Sequence, residues 1–222
     1  MSTDKKFDLI LFDLDGTLFD TKQTIFNALS SYVKEAGLRP LTEEEINSFF
    51  GPPAIVSIRK FYPQLSDDEI NKIVLGYRQY YIDNELLKAK MYDGTLDVLI
   101  KLKEDGYKVA LATYKLMSCV TILLNHYDLF KYFDAVKGSI AEIGGTKTDI
   151  MKEAIEACKI TDYDRICMIG DTNYDFDGSV NLNVSFIGAN YAHTFDNLSE
   201  EHKNYKKFVG VCNKPKEILD MV

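Results

Sequence analysis

The sequence predicts an α/β fold: a mostly parallel sheet with helices on both faces, carrying a helical insertion near its start. Three observations predict it. An apolar run, Leu9 to Phe12, ends in the carboxylates Asp13 and Asp15, as a strand buried on both faces does when it stops at a ligand-binding edge. From Met91 onward, apolar runs of strand length alternate with amphipathic stretches of helix length, the pattern of strand–helix–strand units. Between these two regions only the helical period appears, so that block is expected to form an insertion outside the sheet.

The elements follow in order. Residues two apart on a strand point the same way, so Asp13 and Asp15 are expected to project together, with Gly16 turning the chain behind them. Two like charges held that close are costly unless a cation or a proton sits between them. The pair is therefore a candidate metal and acid–base site, although the spacing alone also fits a polar strand-to-loop turn. A helix is expected from Thr21 to Ala36, ended by Gly37. Thr42–Glu45 and Ser66–Glu69 have the spacing of capping boxes that open two more helices. Phe50-Gly51-Pro52-Pro53 separates them, followed by a short helix through Ile55 and Ile58. Ile70, Ile73, Val74, Tyr77 and Tyr81 mark the apolar face of the helix after Ser66.

Beyond Met91, a helix over 93–105 ended by Gly106 leads to a strand at Tyr107–Thr113. A helix from Lys115 to about His126 and a strand at 134–137 follow. Ile150, Met151, Ala154, Ile155 and Cys158 form one helix face; Arg165–Gly170 is a strand, 176–182 a helix and Val184–Ile187 a strand. Lys207–Val211 reads as an edge strand and 215–219 as a closing helix. Open sheets of this kind bind ligands at the carboxyl ends of their strands, near the switch in strand order. Asp13, Asp15, Thr113 and Asp171 all fall there.

Composition bounds the function. The net charge of −8 over 222 residues argues against nucleic acid or an acidic membrane as the main partner, without excluding a small anionic substrate. Cys119, Cys158, Cys167 and Cys212 form no Cys-x-x-Cys pair and read as reduced thiols of a cytoplasmic protein. The first six residues are short and polar, unlike a signal peptide, and no apolar run approaches the ~20 residues of a membrane span. Lys147 stands where a helix starts. A cation there opposes the helix dipole unless an anion faces it. On that ground Lys147→Met is expected to leave stability equal or slightly higher.

Phe12-Asp13-Leu14-Asp15-Gly16-Thr17-Leu18, continuing to Asp20, resembles the first motif of the haloacid dehalogenase superfamily and in particular its phosphatases. Thr113 at a strand end, Lys147 at a helix start and Gly170-Asp171-Thr172-Asn173-Tyr174-Asp175 resemble the next three motifs in order. The resemblance covers nearly the whole chain and implies a Rossmann-like, mostly parallel sheet core with an inserted helical cap domain. The core would comprise 1–18 and 88–222 and the cap 19–87. The loop from Phe50 to Pro53 resembles that of phosphoglycolate phosphatase-like members.

By that resemblance Asp13 is the nucleophile, and Asp15 protonates the leaving oxygen and then activates water. The Thr113 hydroxyl and the backbone N–H of Tyr114 bind phosphate, and Lys147 bridges phosphate and Asp13. Mg2+ would be held by Asp13, the carbonyl of Asp15 and Asp171, with Asp175 a direct or outer partner. Tyr114 replaces the family's usual Ser or Asn, and Asn183 a usual helix-ending Gly. Lys152 is the poorer candidate for the bridging cation and Asp177 reads as a solvated helix residue. Arg59 and Lys60 are weaker candidates for meeting a second anionic group of the substrate, and His193 for approaching the substrate, against the plainer readings of a solvated charge pair and an exposed loop histidine. The implied function is Mg2+-dependent hydrolysis of a small phosphomonoester by a cytoplasmic monomer or homodimer. A phosphosugar mutase of the same superfamily, and a non-catalytic module with Asp13 as a phosphorylation switch, are the alternatives.

Overall fold

The structure, a computed structural model, describes residues 5–50, 52–140, 145–191 and 194–222. Gly51 and His193, named above, lie outside the described residues. The chain divides into two compact units, one formed by 21–90 and the other by the segments on either side.

The larger unit is built on a six-stranded sheet. Its strands are β1 (Leu9–Phe12), β4 (Lys108–Leu116), β5 (Ala135–Ser139), β6 (Ile166–Gly170), β7 (Ser185–Ala189) and β8 (Phe208–Cys212), in the order β5-β4-β1-β6-β7-β8 with every pair parallel. Two-residue strands, β2 (Phe19–Asp20) and β3 (Lys90–Met91), lie where the chain passes between the units. Helices α5 (Thr95–Glu104), α6 (Met117–His126), α7 (Lys147–Ala157), α8 (Asn173–Leu182) and the short α9 (Glu200–Asn204) complete this unit.

All four β1 side chains are buried. Leu9 and Leu11 join the core that Ile150, Met151, Ala154 and Ile155 of α7 and Phe176 of α8 form on one face; Ile10 and Phe12 alternate to the other. Each such burial contributes about 1.5–3 kcal/mol, which fixes the register of the central strand. From β1 the chain builds outward first to β4 and β5, then returns to β6, β7 and β8 on the other side. Strand order therefore switches at β1, and the crevice at its carboxyl end is flanked by β4 and β6. Phe12 is level with Leu111 and Ile169, so Thr113 and Asp171 follow one register position beyond Asp13 at the same edge of the sheet.

One boundary differs from the sequence reading. Lys115 and Leu116, expected to open a helix, continue β4 instead, and α6 begins at Met117. The pairing of β4 with β5 steps from Thr113–Gly138 directly to Leu116–Ser139, so β4 carries extra residues at this point, a bulge of the kind found beside sites. Gly138 makes room for it: a Cβ there would stand 2.6 Å from the Lys115 carbonyl oxygen. The closing segment Pro215–Asp220 is a 3₁₀ turn, and α9, which opens with Ser199 capping His202, had not been expected. Asn183 takes the left-handed helix-ending position, as expected.

The smaller unit is helical: α1 (Lys22–Glu35), α2 (Glu43–Asn47), α3 (Ala54–Phe61) and α4 (Asp67–Asn84). Both capping boxes expected from the sequence are present, and the five α4 positions named above are buried. Phe49 packs edge-on against Tyr77 at 5.3 Å. Arg39 grips Glu45 through both terminal nitrogens and also donates to the Phe61 carbonyl, tying α2 to the end of α3. No helix among the described residues is long and apolar enough to cross a membrane.

Candidate active site

Asp13 follows β1 directly, and its N–H donates to the Ile169 carbonyl of β6 at 2.9 Å, continuing the ladder by one residue. The carboxylate is thus presented at the strand end while remaining 6% exposed. Lys147, first residue of α7 and 3% exposed, donates its ammonium to Asp13 Oδ1 at 2.5 Å. Asp175 Oδ1 lies 2.5 Å from the same nitrogen without making a hydrogen bond of good geometry. Asp175 is fully buried in the first turn of α8, where its Oδ2 accepts from the Thr172 N–H and hydroxyl. The sequence-level condition for a cation at this helix start, an anion facing it, is met twice.

Asp171 follows β6. Its carboxylate lies over Gly16, where an added Cβ would stand 2.0 Å from Asp171 Oδ2 and where φ is +77°. Gly16 is thus required by the turn and by the closeness of Asp171. The Thr17 hydroxyl approaches Asp171 Oδ1 at 3.4 Å. Oxygens of Asp13, Asp171 and Asp175 all lie within 4.8 Å of one another.

Three carboxylates facing one ammonium leave two negative charges, and the titration behaviour reflects that. Burial, reinforced by the charges of Asp175 and Asp15 and opposed by Lys147, pushes the Asp13 carboxyl up to about 7. Burial and the charges of Asp13 and Asp175 push Asp171 well above the usual carboxylate range. Burial by itself would lower Lys147, but Asp13 and Asp175 outweigh it and hold the ammonium above its ordinary range. A hard divalent cation answers this imbalance: it matches the charge and suits an all-oxygen donor set, here three carboxylates with oxygens within 4.8 Å of one another.

Asp15 and Asp13 take different cations. Asp15, about one-third exposed, accepts from the Lys115 ammonium at 2.9 and 3.2 Å. The Lys115 side chain is only 6% exposed. Sequence reasoning missed Lys115 because it placed the residue on a helix. A signal was present: Lys115 stands two residues after Thr113, and the bulge keeps it on the strand that ends at the site. The Thr113 hydroxyl is buried and accepts from the Lys115 N–H at 3.2 Å. Tyr114 turns its hydroxyl to the Lys147 N–H, 2.7 Å away. Thus Asp13, Lys147, Asp175 and Asp171 come together, with Asp15, Lys115, Thr113 and Tyr114 attached through hydrogen bonds or neighbouring chain. Lys152 and Asp177 are exposed, and Arg59 is ion-paired with Asp67 beside an exposed Lys60.

The chain is similar to known proteins over most of its length. The model of the family described as haloacid dehalogenase-like hydrolase matches residues 10–189. The chain is 28% identical to a phosphoglycolate phosphatase of Aquifex aeolicus over 76% of this chain and 78% of that protein. It is 25% identical to the pyrophosphatase PpaX of Bacillus cereus, covering 79% and 80% of the two chains. The structure superposes on that of a haloacid dehalogenase-like family hydrolase from Streptococcus pneumoniae with a TM-score of 0.80 and 27% identity, over 97% and 98% of the chains.

Proposed function

The chain belongs to the haloacid dehalogenase-like hydrolase family and is a phosphatase of it; on that premise we propose that it hydrolyses a small phosphomonoester with Mg2+, through a phosphoryl group carried on Asp13. The observation that carries this reading is the buried Asp13–Lys147–Asp175 cluster beside Asp171, whose two unbalanced negative charges suit a divalent cation.

Phosphoryl transfer needs an in-line nucleophile and neutralisation of the phosphoryl oxygens. An Asp13 carboxylate oxygen attacks phosphorus as the bond to the leaving oxygen breaks, and Asp15 gives that oxygen a proton. Asp15 then takes a proton from water, the water oxygen attacks phosphorus, and the bond to Asp13 breaks, releasing inorganic phosphate. Lys147 offers its ammonium to the phosphoryl oxygens while remaining tied to Asp13, and the Thr113 hydroxyl and Tyr114 N–H hold the group from β4. Asp13, the Asp15 carbonyl and Asp171 would hold Mg2+, with Asp175 fixing Lys147 beside it. Bound there, Mg2+ would lower the Asp13 carboxyl into its ionised range and neutralise charge on the phosphoryl group. Lys115 keeps Asp15 turned to its place when no substrate competes for the ammonium.

We assign substrate choice to the helical unit 21–90 as the cap. Phosphoglycolate and pyrophosphate, the substrates in the names of two relatives, head the candidates. Four buried free cysteines support a reducing, cytoplasmic setting. The test is phosphate release from phosphoglycolate, pyrophosphate, nucleoside monophosphates and hexose phosphates, with Mg2+ and with EDTA. Stoichiometric, Mg2+-dependent release supports the reading. Isomerised hexose phosphate appearing faster than free phosphate would replace it with a mutase, and inertness towards the whole panel would favour a non-catalytic module.

A further inference from the structure

We infer that Tyr114 is the positioning residue for Lys147, pinning the first turn of α7 to β4 so that the ammonium stays between Asp13 and Asp175. The inference rests on the phosphatase reading above.

The first N–H groups of a helix have no partner within it. At the start of α7, the Thr146 hydroxyl accepts from the Asp149 N–H at 3.2 Å, and the Asp149 carboxylate accepts from the Thr146 N–H at 2.7 Å. This capping box leaves the Lys147 N–H, which donates to the Tyr114 hydroxyl oxygen across a separation of 33 residues in sequence. The start of α7 is therefore tied to the strand that ends at the site by a bond to the backbone of the residue whose side chain matters.

Two further contacts fix the ring that makes this bond. The Lys147 ammonium lies 6.0 Å from the Tyr114 ring centroid, at the outer reach of a cation–π contact. Tyr174, from the first turn of α8, meets Tyr114 edge-on at 5.5 Å and 85°. Tyr114 itself follows Thr113 in the bulged stretch of β4. One side chain thus links the strand carrying Thr113, the helix carrying Lys147 and the helix carrying Asp175.

Lysine needs such a tether. Its side chain is long and flexible, and here it has to lie 2.5 Å from two separate carboxylates. Freeing the first turn would let the ammonium settle on either carboxylate and leave the phosphoryl position less well served, and small misplacements are costly for transfer chemistry. The hydroxyl acts through the Lys147 backbone, without touching substrate.

The experiment uses the full chain and has two arms. In the first, amide hydrogen exchange is followed at Lys147 in the wild type and in Tyr114→Phe, without substrate. The Lys147 N–H has no acceptor within its own helix, so protection in the wild type, lost in Tyr114→Phe, is the expected result. An unprotected wild-type Lys147 amide overturns the inference even if the variant fails to fold. In the second arm, kcat and KM for phosphoglycolate and pyrophosphate with Mg2+ are compared. Loss of one hydrogen bond should lower kcat about five- to tenfold with KM nearly unchanged. In a Lys147→Met background the same change should have almost no further effect. A raised KM with unchanged kcat, or a full multiplicative loss in that background, assigns the hydroxyl to substrate and overturns the proposal; so does an unchanged kcat. If the wild type releases no phosphate from any ester, the phosphatase reading fails, while the exchange arm still decides whether Tyr114 holds α7.

Discussion

Asp171→Asn should make the metal-free protein more stable. Oxygens of Asp13, Asp171 and Asp175 lie within 4.8 Å of each other. At that separation and an effective dielectric constant of about 20, each like-charged pair costs about 3 kcal/mol. The substitution removes two such repulsions and an attraction to Lys147 of similar order, a net gain of up to about 3 kcal/mol. For a chain of this length that is up to about 6–12 °C in Tm.

Protonation limits the gain and gives it a pH signature. The folded protein holds Asp171 well above, and Asp13 at about 7 against, the ordinary carboxylate value of 3.8. Between 3.8 and the raised values the folded state binds more protons than the unfolded one, so stability falls as pH rises through that window. The advantage of Asp171→Asn should therefore be small at pH 5 and largest at pH 8. Thermal unfolding in EDTA across this range reads it directly. Adding Mg2+ should raise the wild-type Tm and reverse the order, because binding to the folded state stabilises it. A variant less stable than wild type in EDTA at every pH would show that the cluster is not under repulsion, and the reasoning that calls for a divalent cation would fail with it.

Other perturbations follow from the same geometry. Lys147→Met should abolish nearly all turnover and cost about 3–5 kcal/mol in EDTA at pH 8 by urea unfolding, because it strips the cation from buried carboxylates; an unchanged or higher midpoint would restore the helix-dipole expectation. Gly138→Ala places a Cβ 2.6 Å from the Lys115 carbonyl oxygen and should cost about 1–3 kcal/mol. It should also lower kcat by displacing Tyr114 and Lys115 together, and normal kinetics in a destabilised variant would mean the bulge geometry is unimportant to the site. Phe50→Ala, in the helical unit, should redistribute rates among phosphoesters; a uniform loss across the panel would make Phe50 a packing residue.

What the sequence revealed was what local chemistry decides. The capping boxes at Thr42 and Ser66, the apolar face of α4 and the buried run of β1 depend on residues a few positions apart. Strand order places Asp13, Thr113 and Asp171 together, and this too followed from the alternation of strands and helices. Lys115 was hidden because its strand conformation depends on the pairing of β4 with β5 and on space above Gly138, neither of which shows in the local apolar pattern. The expectation for Lys147→Met rests on the helix dipole, a local term; the buried ion pairs of Lys147 with Asp13, 134 residues away in sequence, and with Asp175 argue for the opposite outcome, which the urea unfolding above decides. The short helix α9 escaped notice because His202, in place of the usual acidic or amide residue, closes its capping box.

The central claim is that Asp13 carries the phosphoryl group, and mass analysis of the Asp15→Asn variant tests it most directly. Without the Asp15 carboxylate, water is not activated, so the intermediate should outlive mixing with Mg2+ and p-nitrophenyl phosphate, whose leaving oxygen needs no proton from Asp15. One phosphoryl group is expected on the peptide containing Asp13 after acid quench, absent when Asp13→Asn is added. An unmodified Asp13 peptide at every time point, or a phosphoryl group on another residue, while the wild type releases phosphate from the same ester, would contradict it.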